Sequence, residues 1–300
     1  MRMFGMRVLR AGALVGVLAG LLTVPAPAAA QVTAGAPQPT LVAIRAAHHP
    51  GMDRLVFEFR GPLPAWRSAQ WVKGLVADPS GLQVPVVGSA VLKVRFAGAT
   101  GHDRGVLTYG ATRRTFALPG VIQVVNTGDF ESVLSFGVGV AKKSSFRMHT
   151  LRDPSRVIID IKTPYRTVNV RTHFLNSANF NIGRTPYGKA VQRPVIASRT
   201  AFGALQRLFA GLTQAERDAG LYFVTSKATG FSKVTVKGKV ARVYLTGGCA
   251  SDGSTFTIAD EIMPTLKQFP SIRWVKIYDP TGKTQQPEGR SDSIPTCLEP

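Results

Sequence analysis

The chain has 300 residues, with 37 Lys or Arg against 17 Asp or Glu, and a net charge of +20. Charge of that size speaks about partners rather than fold, and it points to anionic polymers. After the N-terminal segment no run is long and apolar enough for a spanning helix, which needs about 20 residues, so a helical membrane protein is excluded.

Arg2, Arg7 and Arg10 precede an uncharged, mostly apolar run from Ala11 to Val24. Pro25 and Pro27 interrupt it, and Ala28, Ala29 and Ala30 offer the small side chains that a signal peptidase reads. This pattern predicts a cleaved signal peptide over residues 1–30, cut after Ala30. The apolar run is too short for a membrane anchor. No cysteine lies near the cut, so there is no thiol to acylate. Losing Arg2, Arg7 and Arg10 lowers the charge from +20 to +17. An exported protein of this charge meets wall polymers, acidic lipid heads and peptidoglycan carboxylates. Nucleic acid suits the charge but not the compartment. A genome rich in G and C, and so in Arg codons, would give the same charge with no such partner.

Residues 31–39 are small, uncharged and Pro-containing, and read as a tether. A period of two follows, with Leu55, Phe57 and Phe59 alternating against Arg54, Val56 and Glu58, as in a half-buried strand. Further strands are expected over 82–87, 90–96, 105–109, 121–126 and 133–140. They are punctuated by Gly, Pro, Asp and Asn, with no sustained helical period. The fold expected for residues 40–162 is an all-β, sandwich-like domain. Within it Arg156-Val157-Ile158-Ile159-Asp160-Ile161 echoes Arg54-Leu55-Val56-Phe57-Glu58-Phe59. In each the Arg and the acid share a strand face, four residues apart. The two segments are expected to be the first and last strands of the domain.

Lys162-Thr163-Pro164 reads as a boundary. Beyond it the pattern predicts a small α+β domain over residues 165–300, in the order β, α, β, β, α, β. Phe202, Leu205 and Phe209 fall at helical spacing, and Thr213 to Glu216 has the form of a capping box. The alternation around Lys237-Gly238 predicts a hairpin. Ile258, Ile262, Leu266 and Phe269 predict a helix, which Pro264 should kink or begin. Residues 272–278 complete the set as a strand.

Chemistry is sparse. Cys249 and Cys297 are the only cysteines, and an even count in an exported chain predicts one disulfide. It would close a loop worth roughly 4 kcal/mol on the chain-entropy model. A metal site or a Cys249 nucleophile beside Gly247-Gly248 is the alternative. His48-His49 is expected in a loop. Adjacent residues of an extended chain point apart, which makes a poor metal pair. His102, His149 and His173 are scattered singly, and the last two read as surface or packing histidines. Asp260-Glu261 reads as a solvated helix face. Neither Gly-x-Ser-x-Gly nor Ser-x-x-Lys occurs. The expectation is therefore a non-enzymatic protein without metal or cofactor. Lys233, Lys237, Lys239 and Arg242 cluster about the predicted hairpin and form the candidate polyanion site. Lysines there also serve to keep an exposed strand edge from pairing.

Residues 40–162 resemble the AMIN-like domain of actinobacterial secreted proteins, in Gly51 to Gly61, Gly128 to Gly137 and Pro154 to Asp160. Residues 165–300 look like the GerMN domain, in Thr172-His173-Phe174-Leu175, Ala210 to Glu216, Val243-Tyr244-Leu245 and Phe269 to Ile272. The resemblance implies an envelope protein that binds peptidoglycan or an anionic wall polymer. It also implies assembly with other envelope proteins or with itself, in growth, sporulation or germination. No amidase or other hydrolase domain accompanies the AMIN-like part.

Overall fold

Apolar side chains facing one another across the gap drive the first half of the chain into two stacked sheets. The computed structural model describes residues 37–300, which form one compact unit. The predicted signal peptide and residues 31–36 of the tether lie outside the described residues. Eleven strands run through the first half. They are β1 (Thr40–His49), β2 (Met52–Arg60), β3 (Trp66–Val72), β4 (Ala90–Ala97), β5 (His102–Asp103), β6 (Val106–Leu107), β7 (Arg113–Thr115), β8 (Val121–Phe130), β9 (Val133–Val140), β10 (Phe146–Leu151) and β11 (Ser155–Lys162). One sheet has the order β1-β2-β11-β10 and the facing sheet β3-β4-β9-β8-β7. Between them Phe57, Phe59, Phe96 and Phe136 are buried. Phe57 meets Phe96 edge-on at 5.0 Å and Phe136 at 5.2 Å between ring centroids.

The two echoing segments are neighbours. β2 and β11 pair antiparallel, and the register sets Arg54 opposite Asp160 and Arg156 opposite Glu58. Antiparallel pairing reverses one copy of the pattern, so each Arg stands opposite the other segment's acid, although only Arg54 and Asp160 form an ion pair. Arg54 donates to both Asp160 carboxylate oxygens, at 2.7 and 2.9 Å. The Arg54 strand is the second of the domain rather than the first, because β1 precedes it as a hairpin partner. His48 and His49 lie at the end of β1, not in a loop.

No strand forms over Leu82–Val87. Pro85 lacks a ladder donor, and residues 73–88 instead lie across the outer face of the five-stranded sheet. Where they cross β9, that face carries Gly137 and Gly139. A Cβ on Gly137 would collide with Leu75, and one on Gly139 with the Val87 carbonyl. The segment is tied down by Asp78 N–H to the Thr127 carbonyl at 2.7 Å and by Val87 N–H to Gln123 Oε1 at 3.1 Å.

The second half holds β12 (Thr167–Asn176), α1 (Ser177–Asn181), β13 (Gly188–Ile196), α2 (Thr200–Phe209), α3 (Gln214–Asp218), β14 (Leu221–Tyr222), β15 (Ala228–Lys237), β16 (Val240–Gly247), α4 (Ile258–Lys267) and β17 (Trp274–Tyr278). They form two small sheets, β13-β12-β14 and β15-β16-β17. Strands β16 and β17 are parallel, and α4 supplies the crossover that a parallel pair requires. The expected capping box forms at Thr213 with Glu216, and a second, not expected, forms at Thr257 with Asp260. Pro264 falls inside α4, and the helix continues past it to Lys267.

Helix α4 also seals a sheet edge. Arg171, His173 and Leu175 are alternate residues of β12. Their N–H groups donate to Gln268 Oε1 (2.8 Å), Thr265 Oγ1 (3.0 Å) and Glu261 Oε1 (3.2 Å). Side chains three and four residues apart on the helix thus take the donors that a further strand would have paired. Glu261 is fully buried; the expectation of a solvated face fails there, because its stripe on α4 faces β12. Burial above all, with the charge of Asp260 adding to it, pushes this carboxyl well above the usual range. Its hydrogen bonds from Val224 and Leu175 oppose the shift. A carboxyl raised in the fold contributes most below its ordinary pKa and loses that contribution as pH rises through the elevated value. Glu261→Gln should therefore stabilise the protein more at pH 8 than at pH 5, by roughly 1.4 kcal/mol per unit of elevation. Thermal unfolding of both proteins at the two pH values measures this, and an equal shift at both rejects the neutral carboxyl.

The two halves meet along α2, which is buried on nearly every side. Leu205, Leu208 and Phe209 belong to the core of the second half. On the other side Gln206 donates to Ser89 Oγ at 3.1 Å and Arg207 to the Pro119 carbonyl at 3.0 Å. The Ala210 carbonyl accepts from Thr115 and Gln123. Burial lowers the Arg207 guanidinium to about 10. Beside it Asp53, itself wholly buried, holds the 119–121 turn by accepting from the Gly120 and Val121 N–H groups at 2.6 and 2.8 Å.

Candidate functional site

The basic hairpin forms where the sequence places it. Alternation along β15 sets Lys233 and Lys237 on one face, with Thr235 between them, and Arg242 of β16 lies opposite Thr235. Lys239 sits in the turn itself, at a φ of 65°. Among the described residues none of these four pairs with a carboxylate. Tyr244, opposite Lys233, stacks on Tyr278 at 4.5 Å, and the Lys233 ammonium lies 5.8 Å from the Tyr244 ring. The result is an exposed basic edge with an aromatic floor beside it. A chain of anionic groups can lie along such an edge.

The two cysteines are joined. Cys249, two residues past β16, bonds to Cys297 with their Cα atoms 5.7 Å apart, so the thiol a Cys249 nucleophile needs is consumed. The histidines are spread out. His48 Nδ1 lies 2.7 Å from Asp53 Oδ1, and His102 Nδ1 lies 2.6 Å from Asp129 Oδ2. His149 is 3.8 Å from Asp160. His173 faces Thr265, and its pKa is lowered first by burial and then by the charge of Arg171.

A second basic surface covers the outer face of the four-stranded sheet. Its cross-strand rows are Arg147–Asp160–Arg54–Ala47, His149–Ile158–Val56–Arg45 and Leu151–Arg156–Glu58–Ala43. Asp160 is taken by Arg54 and Glu58 by Arg45. That leaves Arg147 and Arg156 without a carboxylate partner among the described residues.

The junction of the halves contains a cleft of about 640 Å³. Ala46 and the 110–118 segment form one wall, and Thr213, Gln214 and Arg217 form the other. Arg114 reaches in from β7, with one guanidinium nitrogen donating to the Ile44 carbonyl at 2.9 Å and the other to the Tyr109 carbonyl. Its Nε is buried and has no partner. Arg217 opposes it from α3, held by the Leu212 carbonyl and by Gln214 Oε1 at 3.0 Å. Burial first, and the charge of Arg217 besides, lowers the Arg114 guanidinium, while Tyr109 pulls the other way. Past Thr115 and Arg217 the cleft runs on into a shallower hollow of about 280 Å³ toward Arg113 and Tyr222. No acidic side chain lines either space. Sequence reasoning missed this site. Its one signal is the excess of basic residues after Tyr165, and the Arg114 half of the pair comes from elsewhere in the chain.

The family model of the AMIN-like domain matches residues 39–163. This is the two-sheet half of the molecule, from the start of β1 to just past β11. No curated protein and no solved structure matches the chain.

Proposed function

We propose that the chain is a non-enzymatic, extracytoplasmic envelope protein that binds peptidoglycan or an anionic wall polymer. The AMIN-like match over residues 39–163 carries this reading, since at family level that domain goes with peptidoglycan and with targeting rather than catalysis. Two surfaces of matching charge support it. One is the outer sheet face with Arg147 and Arg156, and the other is the hairpin of Lys233, Lys237, Lys239 and Arg242. The signal-peptide pattern in residues 1–30 agrees with the compartment. For residues 165–300 the reading is a GerMN-like domain, and with it an envelope or sporulation assembly with protein partners or further copies of itself; the sequence resemblance at Thr172 to Leu175 and Ala210 to Glu216 supports this part.

Co-sedimentation with purified cell walls tests the proposal, using walls that carry their anionic polymer and walls stripped of it. Binding lost on stripping, and weakened by salt, assigns the basic hairpin to the polymer. Lys237→Glu with Lys239→Glu should then reduce binding by about tenfold, the scale of one strong ionic contact. Binding that survives stripping assigns the AMIN-like sheet to peptidoglycan. Failure to sediment with either preparation rejects the wall-ligand reading.

A further inference from the structure

We infer that the junction cleft is a receptor for the carboxylate end of a short peptide with small apolar side chains, gripped between Arg114 and Arg217. The peptide's source in the wall rests on the function proposed above; the cleft's chemistry does not.

The charge comes first. Two guanidinium groups line one concave space, each held by carbonyl or amide oxygens and neither paired with an acid among the described residues. Like charges held together without a counter-ion are costly. Arg217 is exposed and Arg114 half-buried, so here water rather than a carboxylate screens the pair, whereas the buried Arg193 and the half-buried Arg54 are each given a carboxylate. Guanidinium is also the group best shaped to take a carboxylate through two parallel hydrogen bonds.

The walls then select the rest of the ligand. Ala46, Ala111, Ala117 and Leu118 offer small apolar surface beside the two arginines. A phosphodiester polymer of small polyols brings charge but no methyl groups to cover that surface. A peptide ending in alanine-sized residues brings both. The volume lies within the usual range for small-molecule sites and holds two or three such residues. One arginine comes from each half of the chain, so a bound carboxylate bridges the halves and holds them together.

Isothermal titration at low salt tests this with three probes: diacetyl-lysyl-D-alanyl-D-alanine, its C-terminal amide, and inorganic phosphate. The free acid should bind at least tenfold more tightly than the amide and than phosphate. Arg217→Gln should weaken the acid at least tenfold. Ala111→Trp, which fills the rim and leaves both arginines in place, should do the same. Melting curves that overlay the parent's establish that both variants are folded. Equal binding of acid and amide, or no binding of the acid, overturns the proposal. Phosphate binding as tightly as the acid overturns the peptide assignment. Wall co-sedimentation separates the two readings. Walls bound without the peptide acid retain the wall reading and reject the cleft. The acid bound without walls does the reverse.

Discussion

Glu216→Ala is expected to lower the free energy of unfolding by about 3–5 kcal/mol, the scale for removing one partner of a buried ion pair. Arg193 on β13 is 1% exposed. Its guanidinium makes two hydrogen bonds to the Glu216 carboxylate, both 2.6 Å, and lies 5.8 Å from the Phe174 ring. Truncating Glu216 strands that charge in the core. It also opens the capping box of α3, where Glu216 Oε2 accepts from the Thr213 N–H at 2.9 Å. The pair itself adds little net stability, because both ions must be desolvated. Arg193→Met combined with Glu216→Gln should therefore recover most of the loss. Urea unfolding of the single and double variants decides it, and a single-variant loss below about 1 kcal/mol would show that water reaches Arg193. Acid supplies an independent check. Burial pushes the Glu216 carboxyl up, but Arg193 and the Thr213 contacts outweigh it and hold the group below the usual range. Its contribution is thus present above the ordinary carboxylate pKa and is lost as pH falls through the lowered value. Glu216→Ala should lack that part of the acid transition.

Removing the disulfide is expected to cost a similar amount. Cys249 and Cys297 are 48 residues apart, and closing a loop of that length is worth about 4 kcal/mol on the chain-entropy model. The loop encloses α4 and β17, and so a large part of the second core. The tail has further ties of its own, with Leu298 buried in that core and Ser293 N–H donating to the Val275 carbonyl at 3.0 Å. Cys249→Ala with Cys297→Ala should therefore still fold, with a melting temperature lower by about 10 °C for a chain of this size. Reductant should lower the parent by the same amount and leave the variant unmoved. A variant melting within about 2 °C of the parent would mean that these ties hold the tail unaided.

Periodicity made β2 and β4 legible, because their buried residues alternate cleanly, while β8, β9 and β11 were legible as short apolar runs between turn residues, buried on both faces along most of their length. It failed for β1 and β10, where Ala, His and Arg blur the alternation. It failed for β13 too, where Arg193 occupies an inward position that only Glu216 makes tolerable. Glu261 misled for a related reason. A carboxyl beside another acid on a helix reads as solvated, and the N–H donors that justify its burial belong to Leu175 and Val224, 86 and 37 residues away. The disulfide was legible from compartment and count. The basic hairpin was legible because its residues are close in sequence. The cleft was not, since Ala46, Arg114 and Arg217 meet only when the halves dock.

The pairing of β2 with β11 bears on the order in which the chain can be built. β1 and β2 close through a two-residue turn, so that hairpin can form as soon as residue 60 is available. Its other edge, with Arg54 waiting for a partner, stays open until Ser155–Lys162 arrives about a hundred residues later. If the chain is threaded through a translocation pore, a ribbon with Leu55, Phe57 and Phe59 on one side is outside well before its cover. Long-range closure of this kind is slow, and an open strand edge is the usual route to pairing with the wrong chain. The pairing of Arg54 with Asp160 favours the right partner in the right register when it does emerge. The charges on that face thus have a use in assembly that precedes any use in binding.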